Sequence, residues 1–133
     1  MKDLDQIVTE NNEFVVFAVQ PHEPHTVMNF MADQGIPFQV LLGSYKGQLE
    51  TSFIIPHIRL EAMAVSGYVD EQESILILGA VNQNGTRPAR IRFLETGEEL
   101  DLGSLTRVTK EEALTNDGWT FNPMINSYFT IKA

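Results

Sequence analysis

The chain has 133 residues, no cysteine and a formal charge of −9, and 43% of its residues are hydrophobic. This length fits one globular domain, which we expect to span residues 1–133. The negative charge disfavours direct nucleic-acid binding, because phosphate backbones carry the same sign, and it favours cationic small molecules. Without cysteine there is no disulfide framework and no thiolate metal ligand, which suits a reducing compartment.

The sequence has no signal-peptide pattern at its start, and no apolar run reaches the roughly 20 residues of a membrane helix. We therefore expect a cytoplasmic protein with no membrane partner. Many of the acidic residues occur in short clusters that are typical of turns. We interpret these clusters as solvated surface, and they lie at residues 70–73, 95–99 and 110–112.

The first half of the chain alternates strand-like and helix-like segments. Residues 14–19 form a continuous apolar run of strand length, and Pro24 then suits the first turn of a helix. That helix has one apolar face and ends near Gly35, and the face consists of Val27, Phe30 and Met31.

Two further strands, at residues 38–42 and 49–55, are predicted to form an antiparallel hairpin with a long or bulged connection at residues 44–48. A second helix follows and ends at Gly67. Its predicted buried face consists of Ile58, Ala62 and Val65, widened by Leu60 and Met63. Residues 74–81 are a fourth, strongly apolar strand.

This β-α-β-β-α-β order predicts a ferredoxin-like α+β fold, with a core over residues 13–82 and a β-rich C-terminal extension over residues 83–133. The extension contains a hairpin signal around residues 95–98, a short helix with Thr109 as N-cap, and a strand at residues 128–131. Helices would cover one face of the open sheet. We expect the extension or identical subunits to cover the other face.

One carboxylate, Glu50, lies within the third strand. Strand alternation divides that strand into two faces, which are Leu49, Thr51, Phe53 and Ile55 on one side and Gln48, Glu50, Ser52 and Ile54 on the other. We interpret the first face as the helix-facing core. Glu50 and Ser52 then face the extension, a neighbouring subunit or solvent, and solvation alone would explain a charge at this position.

Two other groups have a functional and a structural interpretation. His22 and His25 resemble part of a metal cluster, but Pro24 breaks the helical spacing, so we favour a polar loop and no metal site. Trp119 and Phe121 could form a ligand platform, and we favour a role in the core.

Residues 44–52, Ser-Tyr-Lys-Gly-Gln-Leu-Glu-Thr-Ser, resemble the tyrosine–glycine–small–hydrophobic–Glu–Ser/Thr–Ser/Thr segment of bacteriophage S-adenosylmethionine lyases, formerly termed hydrolases. The chain has one more residue between Tyr45 and Glu50 than that segment. The order of elements is similar in outline over most of the chain. The resemblance implies a PII-like fold, a homotrimer with ligand between subunits, and a host cytoplasmic location if the protein is phage-encoded.

The resemblance also implies a reaction. The substrate carboxylate attacks its own γ-carbon and gives homoserine lactone and 5′-methylthioadenosine, which removes S-adenosylmethionine from host restriction and methylation. No cofactor or metal is required. Glu50 is the implied catalytic residue, in a positioning role toward the substrate ammonium. The residues implied in substrate binding are Tyr45, Ser44, Gly47, Ser52, Gln20 and His22.

Two alternatives stay open from the sequence. A non-catalytic PII-like module would bind a nucleotide-type ligand and return it unchanged. An acidic anti-restriction protein would act through protein contact, with no small-molecule activity.

Overall fold

Antiparallel strands close into a barrel, with two helices packed on one side of it. The computed structural model describes residues 13–18, 23–45, 47–69 and 72–133, with the backbone alone at Tyr45. The strands are β1 Phe14–Ala18, β2 Gln39–Tyr45, β3 Gln48–Pro56, β4 Ser74–Leu78, β5 Arg87–Phe93, β6 Glu99–Val108, β7 Gly118–Asn122 and β8 Ser127–Lys132. The helices are α1 Pro24–Asp33, α2 Leu60–Val65 and α3 Lys110–Leu114, and a 3-10 turn at His57–Arg59 leads into α2.

The strands follow one another around the barrel in the order β1-β3-β2-β7-β8-β6-β5-β4, and β4 pairs with β1 to complete the circle. On β1, for example, Val16 faces Ile54 of β3 on one side and Leu76 of β4 on the other. The predicted ferredoxin-like, PII-like α+β sheet is therefore wrong. The elements of residues 13–82 do occur in the predicted order. However, β2 and β4 are not edge strands, because each also pairs with a strand from the C-terminal part of the chain.

The C-terminal residues are the reason for this difference. We expected residues 83–133 to be an extension that covers an open sheet, whereas they supply β5 to β8, half of the barrel wall. β2 is hydrogen-bonded to β7, and β4 is hydrogen-bonded to β5. A closed sheet encloses its own inner face. The expectation that identical subunits cover that face therefore loses its physical basis, although the oligomeric state itself stays a prediction.

The first helix forms as its sequence predicts. α1 begins at Pro24, whose fixed φ suits the first turn, and Gly35 follows its end with a φ of +67°. Val27 and Met31 are fully buried, and Phe30 is half-buried against the same core. No helix among the described residues is long and apolar enough to span a bilayer.

The second helix has a different buried face from the predicted one. Its first turn is 3-10, which shifts the angular position of the residues that follow. Met63 is consequently buried, with Leu60 and Ala64 beside it, whereas Ile58 is 85% exposed and Val65 is 81% exposed. The predicted face through Ile58 and Val65 is wrong.

The main apolar core lies outside the barrel, between α1, α2 and the outer faces of β1, β3 and β4. Phe53 of β3 is at its centre, with its ring centroid 6.0 Å from that of Phe17 and 5.5 Å from that of Phe38. The buried members are Val15, Phe17, Val27, Met31, Ile36, Phe53, Ile55, Met63, Val69, Ile75 and Ile77.

A second, smaller core lies inside the barrel, where Phe14, Leu78 and Ala89 are buried together. The same interior holds a buried amide pair, in which Nδ2 of Asn122 donates to Oε1 of Gln39 over 2.7 Å. Because strand side chains alternate between faces, each wall strand contributes residues both to the barrel interior and to its outer surface.

An ion cluster joins the residue before β1 to the 3-10 turn after β3 and to β5. Glu13 accepts a hydrogen bond from Nδ1 of His57 at 2.8 Å and from Nη1 of Arg90 at 3.1 Å. Arg90 and Arg92 also both donate to Glu99. The hydrogen bonds from Arg90 first, and then from His57, hold the pKa of Glu13 below its ordinary value.

Replacement of Glu13 by glutamine should lower the free energy of unfolding by about 0.5–1 kcal/mol near pH 7, a value reduced for the exposure of the carboxylate. A lowered carboxyl pKa stabilises the fold above the unfolded-state pKa, and this contribution is lost as the pH falls through the folded-state pKa. The difference between the variants in urea unfolding should therefore shrink as the pH falls below the ordinary glutamate pKa of 4.5. Glu95→Gln, which removes an exposed carboxylate without an ion pair to described residues, is the control. A pH-independent difference would contradict this prediction.

Candidate functional site

A cavity of about 590 Å³ opens at the end of the barrel where the β2–β3 turn lies. Glu50 and Ser52 of β3 line it, whereas Phe53 and Ile55 of the same strand pack against the helices. The predicted division of this strand into two faces is therefore confirmed. Leu49 is the exception, since it shares the face of Phe53 but lies beyond the helices and is 76% exposed.

Small residues create the space at this end of the barrel. Gly43 pairs directly with Glu50 across β2 and β3, and on its other side it pairs with Thr120 of β7. A Cβ atom at Gly43 would lie 3.2 Å from the backbone oxygen of Trp119, so a side chain there would crowd β7. Ser52 and Gly118 are further small lining residues, and with Gly43 they leave a gap that larger side chains would fill.

The charged groups of the cavity are negative. Glu50 and Asp117 both line it, and neither forms an ion pair with a described residue. None of the described lining residues is a lysine or an arginine. The apolar part of the cavity lining includes Leu102, Leu105 and Phe129. The arrangement suits a ligand with an apolar body and a positively charged group, since uncompensated carboxylates in a cleft attract cations.

The structure brings together three of the predicted site residues and leaves the others apart or undescribed. Glu50, Ser52 and Ser44 line the same cavity, although Ser44 pairs with Leu49 and Trp119, so alternation points its side chain to the outer surface. The backbone of Tyr45 pairs with Gln48 and Gly118.

The remaining predicted residues do not line the cavity or lie outside the described residues. Gly47 is exposed in the turn after β2 with a φ of +81°, and it is not part of the cavity wall. The connection that contains it is shorter than predicted, because the strand pairing extends to Tyr45 and Gln48. Gln20 and His22 lie outside the described residues.

Sequence reasoning missed the contribution of β7. Asp117, Gly118, Trp119 and Thr120 line the cavity from this strand and the residue before it. The available signal was the alternation of polar and aromatic residues from Gly118 to Asn122, which is typical of a half-buried strand. Trp119 and Phe121 were predicted to fill the core.

That prediction for the aromatic residues is wrong. Trp119 and Phe121 are half-buried and group with Tyr128 of β8, and their ring centroids lie 5.7 and 4.6 Å from the tyrosine ring. Pairing with Leu42, which is itself partly exposed, places Phe121 on the outer surface of the barrel. The inner face of β7 is left to its small and polar residues.

The described residues contain no group of three histidine, aspartate or glutamate side chains that could hold a metal ion. His25 is exposed in the first turn of α1, and its predicted neighbour His22 lies outside the described part of the chain. His57 is engaged with Glu13.

A larger cavity, of about 750 Å³, lies outside the barrel between α2 and the β5–β6 turn. Its charged lining consists of Glu73, Glu95 and Glu98. None of the predicted site residues is among its described lining residues.

No protein-family model matches the chain, and no curated protein is significantly similar to it. A functional proposal for this protein therefore depends on the chemistry of the barrel cavity.

Proposed function

We propose that the protein binds a small cationic molecule of the S-adenosylmethionine type in the cavity lined by Glu50 and Asp117. The observation that carries this proposal is the pair of carboxylates without a cationic partner among the described residues, placed on one cavity of the barrel. The net charge of −9 acts in the same direction, because it raises the local concentration of cations.

The size and lining of the cavity support this ligand class. A volume of about 590 Å³ lies within the usual range of small-molecule sites, which is roughly 300–1,000 Å³. S-adenosylmethionine carries a sulfonium and an ammonium group, for which Glu50 and Asp117 are suitable partners. Its adenine and ribose need apolar and hydroxyl contacts, which Leu105, Phe129 and Thr120 provide.

Isothermal titration calorimetry with S-adenosylmethionine tests the proposal. We expect Glu50→Gln and Asp117→Asn each to weaken binding about two- to fivefold, as loss of an exposed charge pair would. Glu95→Gln is the matched control, since it removes one negative charge away from this cavity. S-adenosylhomocysteine, which lacks the sulfonium charge, should bind more weakly than S-adenosylmethionine.

Three results would count against this site. Absence of binding at millimolar ligand would refute the proposed ligand class. Equal affinity for the sulfonium and the thioether would remove the electrostatic explanation. An equal loss of affinity in Glu95→Gln and Glu50→Gln would mean that binding depends on net charge rather than on this cavity.

Cleavage of the bound molecule is the second candidate function. It is favoured by the position of Glu50 and Ser52, two residues of the segment that resembles the lyases, on the wall of the same cavity. In this reaction a bond forms between the substrate carboxylate and the γ-carbon. The bond from that carbon to sulfur breaks, and its electron pair leaves with sulfur as a neutral thioether. The protein would supply orientation and exclusion of water.

The proposed role of Glu50 in cleavage is to hold the ammonium group. A carboxylate against the sulfonium would stabilise the ground state more than the transition state, where the charge is disappearing, so contact between Asp117 and the sulfonium would favour binding without cleavage. Chromatography of S-adenosylmethionine after incubation distinguishes the outcomes: methylthioadenosine with homoserine lactone indicates a lyase, methylthioadenosine with homoserine alone indicates a hydrolase, and unchanged ligand indicates a binding module. Product formation by Glu50→Gln at the wild-type rate would exclude this role.

The setting of the activity is also a proposal. We place it in the cytoplasm, in the host cell if the protein is phage-encoded, where it would counteract restriction or methylation. The homotrimer stays a prediction that light scattering can test. Tight binding to a restriction or methylation enzyme, without small-molecule activity, would instead favour action through protein contact.

A further inference from the structure

A second cavity, of about 300 Å³, lies inside the barrel at the end opposite to the acidic cavity of Glu50 and Asp117. This inner compartment is bordered by the β4–β5 connection, through Val81, and by the β7–β8 turn, through Ile125. Three waist residues border both cavities, and they are Leu105, Thr120 and Phe129. The two cavities therefore adjoin one another within a single barrel interior.

The wall strands run lengthwise from one cavity to the other. On β3 the inward residues Glu50 and Ser52 line the acidic cavity, and the next inward residue, Ile54, lines the inner compartment. The antiparallel neighbour β2 has the same arrangement, with Gly43 on the acidic cavity and Leu41 on the inner compartment. Along an extended strand, Glu50 and Ile54 are about 13 Å apart. A ligand of that length would extend from the carboxylate into the inner compartment.

The described wall of the inner compartment is mainly apolar. Its apolar side chains are Phe14, Leu41, Ile54, Leu78, Val81, Leu105, Ile125 and Phe129. The side chains of Phe14, Leu41 and Leu78 are buried. Arg107 also borders the compartment, but it is exposed to solvent. A wall of this kind favours the hydrocarbon part of a ligand, since apolar surface is more stable out of water.

The buried amide and guanidinium groups of this wall are engaged within the protein. Nδ2 of Asn122 donates to Oε1 of Gln39 over 2.7 Å. Nη1 of Arg87 donates to the backbone oxygen of Gly79 over 2.7 Å, and the guanidinium lies 5.0 Å from the ring centroid of Phe14. These contacts already use polar groups that a ligand would otherwise meet. The inner compartment therefore offers a ligand mainly apolar contacts.

We infer that the barrel interior binds a cation with an unbranched apolar tail, of the long-chain alkylammonium class. The positive head would lie at Glu50 and Asp117, and the tail would pass the waist residues into the inner compartment. The inference rests on one part of the proposed function, namely that the acidic cavity takes positively charged groups. The adenosine of S-adenosylmethionine would reach only to the waist residues, whereas a long tail would also contact the wall beyond them.

Calorimetric titration with hexyl-, octyl- and decylammonium, each below its micelle concentration, tests the inference. We expect affinity to rise about threefold for each added methylene, because each is buried in the apolar wall. Octan-1-ol has the length of octylammonium without its charge. It should bind about two- to fivefold more weakly, as expected for loss of a charge pair with exposed carboxylates. Glu50→Gln should reduce this difference.

Val81→Phe tests the position of the tail. The larger side chain would fill part of the inner compartment, so decylammonium should bind about tenfold more weakly, whereas the shorter hexylammonium should bind within about twofold of its wild-type affinity. Val65→Phe is the matched control, because Val65 is 81% exposed on α2 and is not among the described lining residues of either cavity. Urea unfolding checks that each variant is folded. Ile125→Phe fills the compartment from the β7–β8 turn and should give the same result if Val81→Phe is unstable.

The inference is overturned if decylammonium binds no more tightly than hexylammonium, if octan-1-ol binds as tightly as octylammonium, or if Val81→Phe and Val65→Phe have equal effects. Any of these results, with S-adenosylmethionine binding intact, would leave the proposed function standing. Failure of S-adenosylmethionine binding, with a chain-length dependence among the alkylammonium ions, would refute the proposed ligand type and support the present inference.

Discussion

Replacement of Phe53 by alanine is expected to lower the free energy of unfolding by about 3–5 kcal/mol, the range for a phenylalanine removed from a close-packed core. Phe53 is fully buried and lies between the rings of Phe17 and Phe38. Its loss would leave a void between β3 and the two helices. Because domains of this kind are stable by only about 5–15 kcal/mol, the variant should unfold at clearly lower urea concentration.

Leu49→Ala is the control for this prediction. Leu49 occupies the same face of the same strand, but it is 76% exposed and lies outside the core cluster. We expect a change within about 0.5 kcal/mol, as for most surface substitutions. Similar losses in both variants would mean that β3 does not pack as described. The orientation of Glu50 and Ser52 toward the cavity would then also be wrong.

The second large effect is expected at Gly103, where alanine should cost about 2–4 kcal/mol through backbone strain and crowding. Gly103 has a φ of +110°, and it lies opposite a shift in the β5–β6 register, where Oδ1 of Asp101 accepts a hydrogen bond from its backbone nitrogen. A Cβ atom there would collide with the backbone oxygen of Lys132 and lie 2.6 Å from Cα of Ala133. Urea unfolding measures the loss.

Gly97→Ala separates the two contributions. Gly97 also has a positive φ, +75°, but a Cβ atom there would meet nothing within 4 Å. Its cost should be limited to backbone strain, about 1–2 kcal/mol. If Gly103→Ala were no more destabilising than Gly97→Ala, then β8 would not lie against Gly103, and closure of the barrel through β6 and β8 would need revision.

Local patterns were sufficient to predict most elements of this protein. Pro24 and Gly35 mark the ends of α1 correctly, and Thr109 caps α3 by accepting a hydrogen bond from the backbone nitrogen of Glu112. These signals depend on neighbours in the sequence, where a single residue type decides the backbone conformation. The face of α2 was not predictable in the same way, because a 3-10 turn changed its periodicity.

Closure of the barrel depends on contacts between residues far apart in the sequence. Leu42 pairs with Phe121, and nothing in the local pattern of either residue specifies the other. β7 is only five residues long, and its outward aromatic residues resembled core residues. Side chains alternate between the two faces of a strand in open and in closed sheets alike. The sequence pattern therefore could not distinguish the barrel from the open ferredoxin-like sheet that we predicted.

The candidate site was predictable to the extent that it lies on one strand. Alternation correctly separated Glu50 and Ser52 from Phe53. Asp117 and Thr120 reach the same cavity only because β2 pairs with β7, and that pairing was not anticipated.

Closure also determines how another protein could recognise this one. Every described strand has a hydrogen-bonded neighbour on both sides, so the described part of the barrel offers no unpaired edge on which an extended peptide could be added as a further strand. Even Ala18, at the end of β1, has its backbone nitrogen and oxygen bonded to the side chain of Gln72. A macromolecular partner would have to recognise side chains on the outer surface, and substitutions at surface positions such as Leu42 and Phe121 would then disrupt such a complex.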